Sequence, residues 1–104
     1  MPQFDVYENF NEHTKAEFPF LLDVQADLLN SLSTRVVVPL VISSMMDKPI
    51  SHLNPGFVIN KKTVFMSTSE MAGISVRNFG KKVGSLKDQR NTIISALDFL
   101  FTGF

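Results

Sequence analysis

The segment 93–104 (IISALDFLFTGF) constrains the fold most, because a helix over it would be apolar around most of its circumference. At about 100° per residue, one stripe of that helix contains Leu86, Ile93, Leu97, Leu100 and Phe104. Four further apolar residues widen the stripe on both sides: Ile94, Ala96, Phe99 and Phe101. A helix this apolar buries more than one face. We therefore expect a C-terminal helix that packs on its own core and on another chain; the alternative is a core helix with an apolar tail.

The rest of the chain predicts short antiparallel strands joined by polar loops. Alternating or β-branched apolar residues mark six segments, at 4–7, 18–25, 35–42, 57–59, 63–66 and 74–76. Loops are predicted at 8–17 and at the glycine- and lysine-rich segment 80–84, and a short helical turn within 43–52. Ser85 and Asp88 have the spacing of a capping box, and Gly103 fits a helix stop. Together these patterns predict one domain over 1–104, of the α+β class and mainly β, with a barrel-like or sandwich-like sheet.

Charge and composition narrow the classes of function. Ten basic and ten acidic residues give a net charge of +0, so direct nucleic-acid binding is not expected. The absence of cysteine excludes disulfides and thiolate catalysis, and fits a cytoplasmic location. The N-terminus has no signal-peptide pattern, and the longest apolar run, 36–46, is interrupted by Pro39 and too short to span a bilayer. We expect no membrane contact.

Residues with catalytic or metal-binding chemistry do not form a recognisable set. His13 and His52 lack a metal-ligand spacing, so neither a metal nor another cofactor is predicted. Asp23 and Asp27 could present paired carboxylates, but solvated loop acids are the favoured interpretation. The segment 80–84 lacks the Gly-Lys-Ser/Thr ending of a phosphate-binding loop and is predicted to be a basic turn.

Five segments, in this order and at matching spacing, resemble the CcdB toxin family. They are QFDVY at 3–7, LDVQADLL at 22–29, RVVVPL at 35–40, MSTSEMA at 66–72 and DFLFTGF at 98–104. The resemblance covers essentially the whole chain. It implies an SH3-like, five-stranded antiparallel barrel with a small subsidiary sheet and a C-terminal helix, assembled as a homodimer.

The resemblance also implies a function without catalysis. CcdB toxins belong to toxin-antitoxin pairs, enter the A subunits of bacterial DNA gyrase and trap the cleaved gyrase–DNA complex. A CcdA-type antitoxin relieves this activity. The implied partners are therefore a second copy of the chain, the gyrase A subunit and the antitoxin.

The residues of two expected surfaces can be named. By resemblance, the gyrase-binding residues are Leu28, Leu29, Asp98, Thr102, Gly103 and Phe104. The apolar arc of the helix predicts a dimer interface at Leu97, Leu100 and Phe101. One departure is notable, because the best-known members of the family have tryptophan where this chain has Thr102.

Two alternatives remain open. A MazF-like endoribonuclease toxin would have a similar fold and would use groups such as Arg35, Thr34 or Arg77 on the sheet. A dimerisation module without poison activity is the other alternative, since Thr102 replaces the family's aromatic anchor.

Overall fold

The structure, a computed structural model, describes residues 1–103, so the prediction made for Phe104 lies outside the described residues. The described residues form seven strands and one α-helix, with short 3₁₀ turns between them. The elements are β1 (Asp5–Asn9), β2 (Phe20–Asp23), β3 (Thr34–Ile42), β4 (Gly56–Ile59), β5 (Lys62–Met66), β6 (Ala72–Ser75), β7 (Phe79–Ser85) and α1 (Arg90–Thr102). No helix within residues 1–103 is long and apolar enough to cross a membrane.

The strands form one curled antiparallel sheet in the order β4-β5-β3-β2-β1-β7. Strand β3 organises the sheet because its nine residues serve two partners along one edge. Its first half pairs with β6 and its last residues pair with β5, while β2 lies along the other edge. The sheet curls into a half-barrel with α1 on one face, which confirms the predicted α+β, mainly β fold with a C-terminal helix.

The core lies between the sheet and α1, and it follows the alternation read from the sequence. Side chains two apart along each strand point to the same face, so Val6, Leu22, Val38 and Leu40 pack together. Fully buried residues of β5 and α1 complete this layer: Val64, Met66, Ile93 and Ala96. One face of the strands β1 to β5 therefore contributes to the core.

The prediction for the end of α1 is confirmed, and the prediction for its start is wrong. Gly103 has φ 80° and its N–H donates to the Phe99 carbonyl at 2.9 Å, so the predicted stop is confirmed. The capping box is not formed, because the Ser85 hydroxyl instead accepts from Lys87 N–H at 3.3 Å in a 3₁₀ turn. The helix then begins after Gln89 without a side-chain cap.

The prediction of a loop at 80–84 is wrong, since this segment is part of β7. Three features hold it against β1. The Phe79 ring packs on Tyr7 with centroids 5.0 Å apart, Gly80 passes close to Glu8, and two register shifts, after Val6 and after Tyr7, each accommodate one extra residue of β7. Glycine and lysine are uncommon in strands, so the composition of β7 predicted a loop, whereas packing against β1 stabilises a strand. The sheet therefore has seven strands where five or six were predicted.

The interpretation of Asp23 as a solvated loop acid is also wrong. Its carboxylate is fully buried and accepts from Arg35 Nε at 2.9 Å and from the backbone N–H of Gln25 at 3.0 Å. The Arg35 side chain is itself 1% exposed, and its Nη2 lies 2.8 Å from Asp23 Oδ2, the oxygen that also accepts from Nε. Burial raises the pKa of the Asp23 carboxyl, and the bonds from Arg35 and Gln25 act in the lowering direction. Asp27, in contrast, is exposed.

Replacing Arg35 by methionine should destabilise the fold by about 3–5 kcal/mol near neutral pH, because Asp23 would remain buried without its partner. The loss should shrink as the pH is lowered. Without Arg35 the folded-state pKa of Asp23 rises further above its unfolded value, so the folded variant binds a proton more tightly than the unfolded chain and gains stability at low pH. Urea unfolding between pH 4.5 and 7.5 measures this. The exposed control Arg77→Met should change stability by less than about 0.5 kcal/mol, and a pH-independent loss in Arg35→Met would contradict the argument.

Two glycines of β7 provide a matched test of its packing. A Cβ on Gly80 would lie 2.8 Å from the Glu8 carbonyl oxygen, whereas one on Gly84 meets nothing within 4 Å. Gly80→Ala should therefore cost about 1–3 kcal/mol, and Gly84→Ala should be neutral or slightly stabilising. Thermal unfolding of the two variants provides the measurement. Equal effects would show that the contact between β1 and β7 is not close.

Candidate functional site

Three of the predicted gyrase-binding residues lie together at the end of α1. Asp98, Thr102 and Gly103 are all exposed, and the Thr102 hydroxyl donates to the Asp98 carbonyl at 2.7 Å. Gly103 then turns the chain out of the helix through its left-handed conformation. The last turn of α1 thus presents a polar surface that its own domain does not cover.

The predicted pair Leu28 and Leu29 lies on a 3₁₀ turn between β2 and β3. Leu28 is 95% exposed and Leu29 is 47% exposed. The turn is fixed by hydrogen bonds on both sides: Asp27 Oδ1 accepts from Gln3 N–H at 2.7 Å, and Gln25 Nε2 donates to the Leu29 carbonyl at 3.0 Å. The result is an apolar side chain displayed by an anchored backbone.

Within residues 1–103, no hydrogen bond joins these two groups. A side chain as exposed as Leu28 has no packing contact with the helix. The turn is bonded to Gln3, and the neighbouring Phe4 carbonyl accepts from Leu86 N–H at 2.8 Å, just before the helix begins. The 13 residues of α1 span about 20 Å at 1.5 Å per residue, so Thr102 lies at the far end.

The predicted dimer residues differ in exposure. Leu97 and Leu100 are half-buried, and Leu97 packs against the core. Phe101 is 67% exposed even though it lies on the same helix face as Ile94 and Leu97, which both pack on the core. The helix therefore extends past the core that its inner face covers, and Phe101 is left facing solvent.

The residues named for a ribonuclease differ in exposure. Arg35 is buried and its guanidinium is occupied, with bonds to Asp23, to Asn30 Oδ1 at 2.6 Å and to the Met1 carbonyl at 2.9 Å. Thr34 and Arg77 are exposed; Thr34 pairs with Ser75, two residues before Arg77. Arg35 is thus a structural residue. Among residues 1–103, no cluster of three or more histidine, aspartate or glutamate side chains could hold a metal ion.

A groove of about 510 Å³ on the sheet face opposite α1 was not predicted. Its floor is apolar and includes Leu21, Val37 and Pro39, and one wall is the segment 9–18. The remaining lining residues are Glu70, Ala72, Ile74 and Asn78. The signal for it was present in β3, which is apolar on both faces and therefore has a second face to cover.

The wall of this groove is ordered by its own side chains. Asn9 Nδ2 donates to the Thr14 hydroxyl and to the Phe18 carbonyl, both at 2.9 Å, which closes the loop over the groove. Phe10, at the groove edge, remains 70% exposed. The predicted loop at 8–17 thus contributes an apolar, partner-accessible edge.

Comparisons with known proteins agree with this architecture. The family model described as CcdB protein matches residues 3–103. The structure is similar to a solved endoribonuclease in complex with its cognate antitoxin from mycobacterial species, with a TM-score of 0.77 and 15% sequence identity over 97% of this chain and 94% of that one. At this identity the structural match shows a shared fold. The family match extends over nearly every residue, and the chain therefore belongs to the CcdB family.

Proposed function

We propose that this protein is the toxin of a toxin-antitoxin pair that binds the A subunit of DNA gyrase and traps the cleaved gyrase–DNA complex. It acts in the cytoplasm without catalysis, and a CcdA-type antitoxin neutralises it. Membership of the CcdB family supports the role as a toxin. The observation that carries gyrase binding is the 95% exposure of Leu28, at a position that the resemblance assigns to the gyrase contact.

The anchored turn around Leu28 supports this function on physical grounds. An exposed leucine contributes nothing to its own fold, and burying it on binding gains roughly 1.5–3 kcal/mol. The bonds from Gln3 and Gln25 already fix the backbone, so little conformational entropy is lost when the partner arrives. Both features are those of a preorganised apolar anchor.

A homodimer accounts for the exposed end of α1. A two-fold assembly would cover Phe101 with the same surface of the second copy. It would also present two copies of the Leu28 turn and of the Asp98–Gly103 surface. A symmetric target such as paired gyrase A subunits could then contact both copies.

The groove opposite α1 is the proposed site for the antitoxin. Its apolar floor suits a disordered segment that folds on binding, and segment 9–18 provides an ordered wall for it. Glu70 is the one charged lining residue, and its carboxylate accepts from Ser67 Oγ at 2.7 Å. Binding there should rest on apolar contact more than on charge.

An endoribonuclease is the second candidate, because an endoribonuclease shares this fold. The exposed neighbours Thr34 and Arg77 are the groups available for such a reaction. Against it, Arg35 is occupied by Asp23, and the groove contains a carboxylate and amides where RNA phosphates would require cations. The third candidate, a dimer without poison activity, rests on Thr102 in place of tryptophan.

One experiment separates the three candidates. The purified protein is incubated with gyrase and supercoiled plasmid, and in parallel with RNA. Linear DNA after protein denaturation supports the poison, RNA fragments support the ribonuclease, and neither product supports the dimerisation module.

Leu28→Ser should abolish most of the DNA cleavage while leaving the fold intact. Loss of an apolar anchor of this kind weakens binding by about 2 kcal/mol, or roughly thirtyfold. Thermal stability should be unchanged because Leu28 makes no packing contact. Leu32→Ser is the matched control, since Leu32 is 49% exposed in the same loop. Cleavage that persists in Leu28→Ser would show that the turn does not contact gyrase.

Phe101→Asp should convert the protein from a dimer into a monomer near 11.7 kDa. The charge would have to be buried at the two-fold interface, whereas in the isolated chain it replaces an exposed ring. Sedimentation velocity at micromolar concentration is the measurement, with Met45→Asp as the control because Met45 is 58% exposed elsewhere. An unchanged dimer in Phe101→Asp would place the interface away from the helix end.

A further inference from the structure

Strand β4 is an apolar edge strand without the usual protection. Among residues 1–103, β4 pairs with β5 alone and forms one edge of the sheet. Its sequence, Gly-Phe-Val-Ile, contains no charge and no proline, and Val58 is 69% exposed. Natural proteins commonly guard edge strands with charged residues or proline to prevent pairing with other chains. An unguarded edge of this kind is suited to pairing with a partner strand.

The register identifies which backbone groups are free. Asn60 and Lys61 have φ of 49° and 65°, as in a type I′ hairpin, so the flanking Ile59 and Lys62 form a hydrogen-bonded pair. Hydrogen-bonded and non-bonded pairs alternate along an antiparallel ladder. Phe57 therefore bonds to β5, while the N–H and C=O groups of Gly56 and Val58 point away from it.

A cavity of about 480 Å³ lies beside this edge. Gly56, Phe57 and Val58 form one wall with Thr63, and Leu86 and Gln89 form the other. The cavity therefore lies between β4 and the segment that links β7 to α1. It has room for an apolar side chain of a strand that pairs with β4.

The charged residues next in sequence to the cavity walls are mainly positive. Lys61 and Lys62 lie between β4 and the lining residue Thr63, and Lys87 and Arg90 lie within two residues of Gln89; we call these four residues the basic flank. Asp88 is the acidic residue within these segments. The start of α1 adds to the positive potential because Gln89 provides no side-chain cap and the helix dipole is positive there.

We infer that the free edge of β4 binds an acidic polypeptide segment in extended conformation. The segment adds a strand to β4 through Gly56 and Val58, places an apolar side chain in the cavity and directs its carboxylates to the basic flank. This surface lies on other elements than the turn around Leu28 and the groove opposite α1, so the inference goes beyond the proposed function.

Two other occupants fit less well. A second copy paired edge to edge would bring two basic flanks together, and like charges at an interface oppose binding. A nucleic acid would be attracted to the basic flank but would leave the backbone groups of β4 unpaired. Phe57 is 7% exposed and offers no ring for base stacking.

The test uses a fluorescein-labelled heptapeptide of alternating glutamate and valine, with a lysine-valine peptide as its control. Anisotropy should show binding of the acidic peptide roughly tenfold or more tighter than that of the basic one. Val58→Pro removes the outward N–H, a change that edge strands tolerate, and should abolish binding. The double variant Lys87→Glu/Arg90→Glu should weaken it roughly tenfold, whereas the matched Lys48→Glu/Arg77→Glu should not.

Hydrogen exchange on the wild-type protein provides a second measurement that does not depend on variants. The Gly56 and Val58 amides should become protected when the acidic peptide is added. Equal binding of both peptides, no binding of either, unchanged binding by Val58→Pro, or unprotected amides would each overturn the inference. So would tighter binding of a single-stranded oligonucleotide at the same sites, or self-association that Val58→Pro removes.

Discussion

Arg35 connects parts of the chain that are distant in sequence, and the turn around Leu28 depends on it. Its guanidinium bonds to Asp23 at the end of β2, to Asn30 just after the 3₁₀ turn, to the Gln25 carbonyl and to the Met1 carbonyl. In a low-dielectric site these bonds reinforce one another, and the fully buried Asp23 carboxylate left alone would be an unpaired charge. The network therefore fixes the N-terminus, β2, β3 and the turn as one unit. Leu28 can be almost fully exposed because hydrogen bonds fix the backbone on both sides of it.

Strand β3 gives this unit two useful faces. Val38 and Leu40 contribute to the core beneath α1, while Val37 and Pro39 form the floor of the groove on the other side. A strand that alternated apolar and polar residues would have supported the core and left a solvated outer face. Because β3 is apolar on both faces, one face contributes to the core and the other forms the apolar floor of the groove.

Six of the strands, the helix and its stop could be predicted because each depends on residues close together in sequence. Alternation along β1 and β2 and the left-handed Gly103 are local signals. Strand β7 was missed because its stability comes from Tyr7 and Glu8 across the sheet and not from its own glycines and lysines. Asp23 was misassigned for the same reason, since Arg35 lies 12 residues away. Long-range pairing carries information that composition and spacing do not contain.

The candidate site shows the same division. Leu28, Asp98 and Thr102 came from resemblance, and the structure adds how they are held and exposed, but periodicity alone would not have selected them. The groove and the free edge of β4 are products of tertiary arrangement, because their walls come from segments far apart in the chain.

Exposed apolar residues on rigid supports distinguish this chain from an ordinary stable domain. Leu28 lies on a turn held by side-chain hydrogen bonds, Phe101 on a helix packed against the core, and Val58 on a strand paired along its other edge. Each backbone is fixed by contacts that do not involve the exposed side chain. Binding at these sites can therefore change without loss of the fold, since the residues that stabilise the molecule are not those offered to partners. The proposed function as a toxin without catalysis would need this separation, because it would rest on the surfaces that the protein presents to its partners.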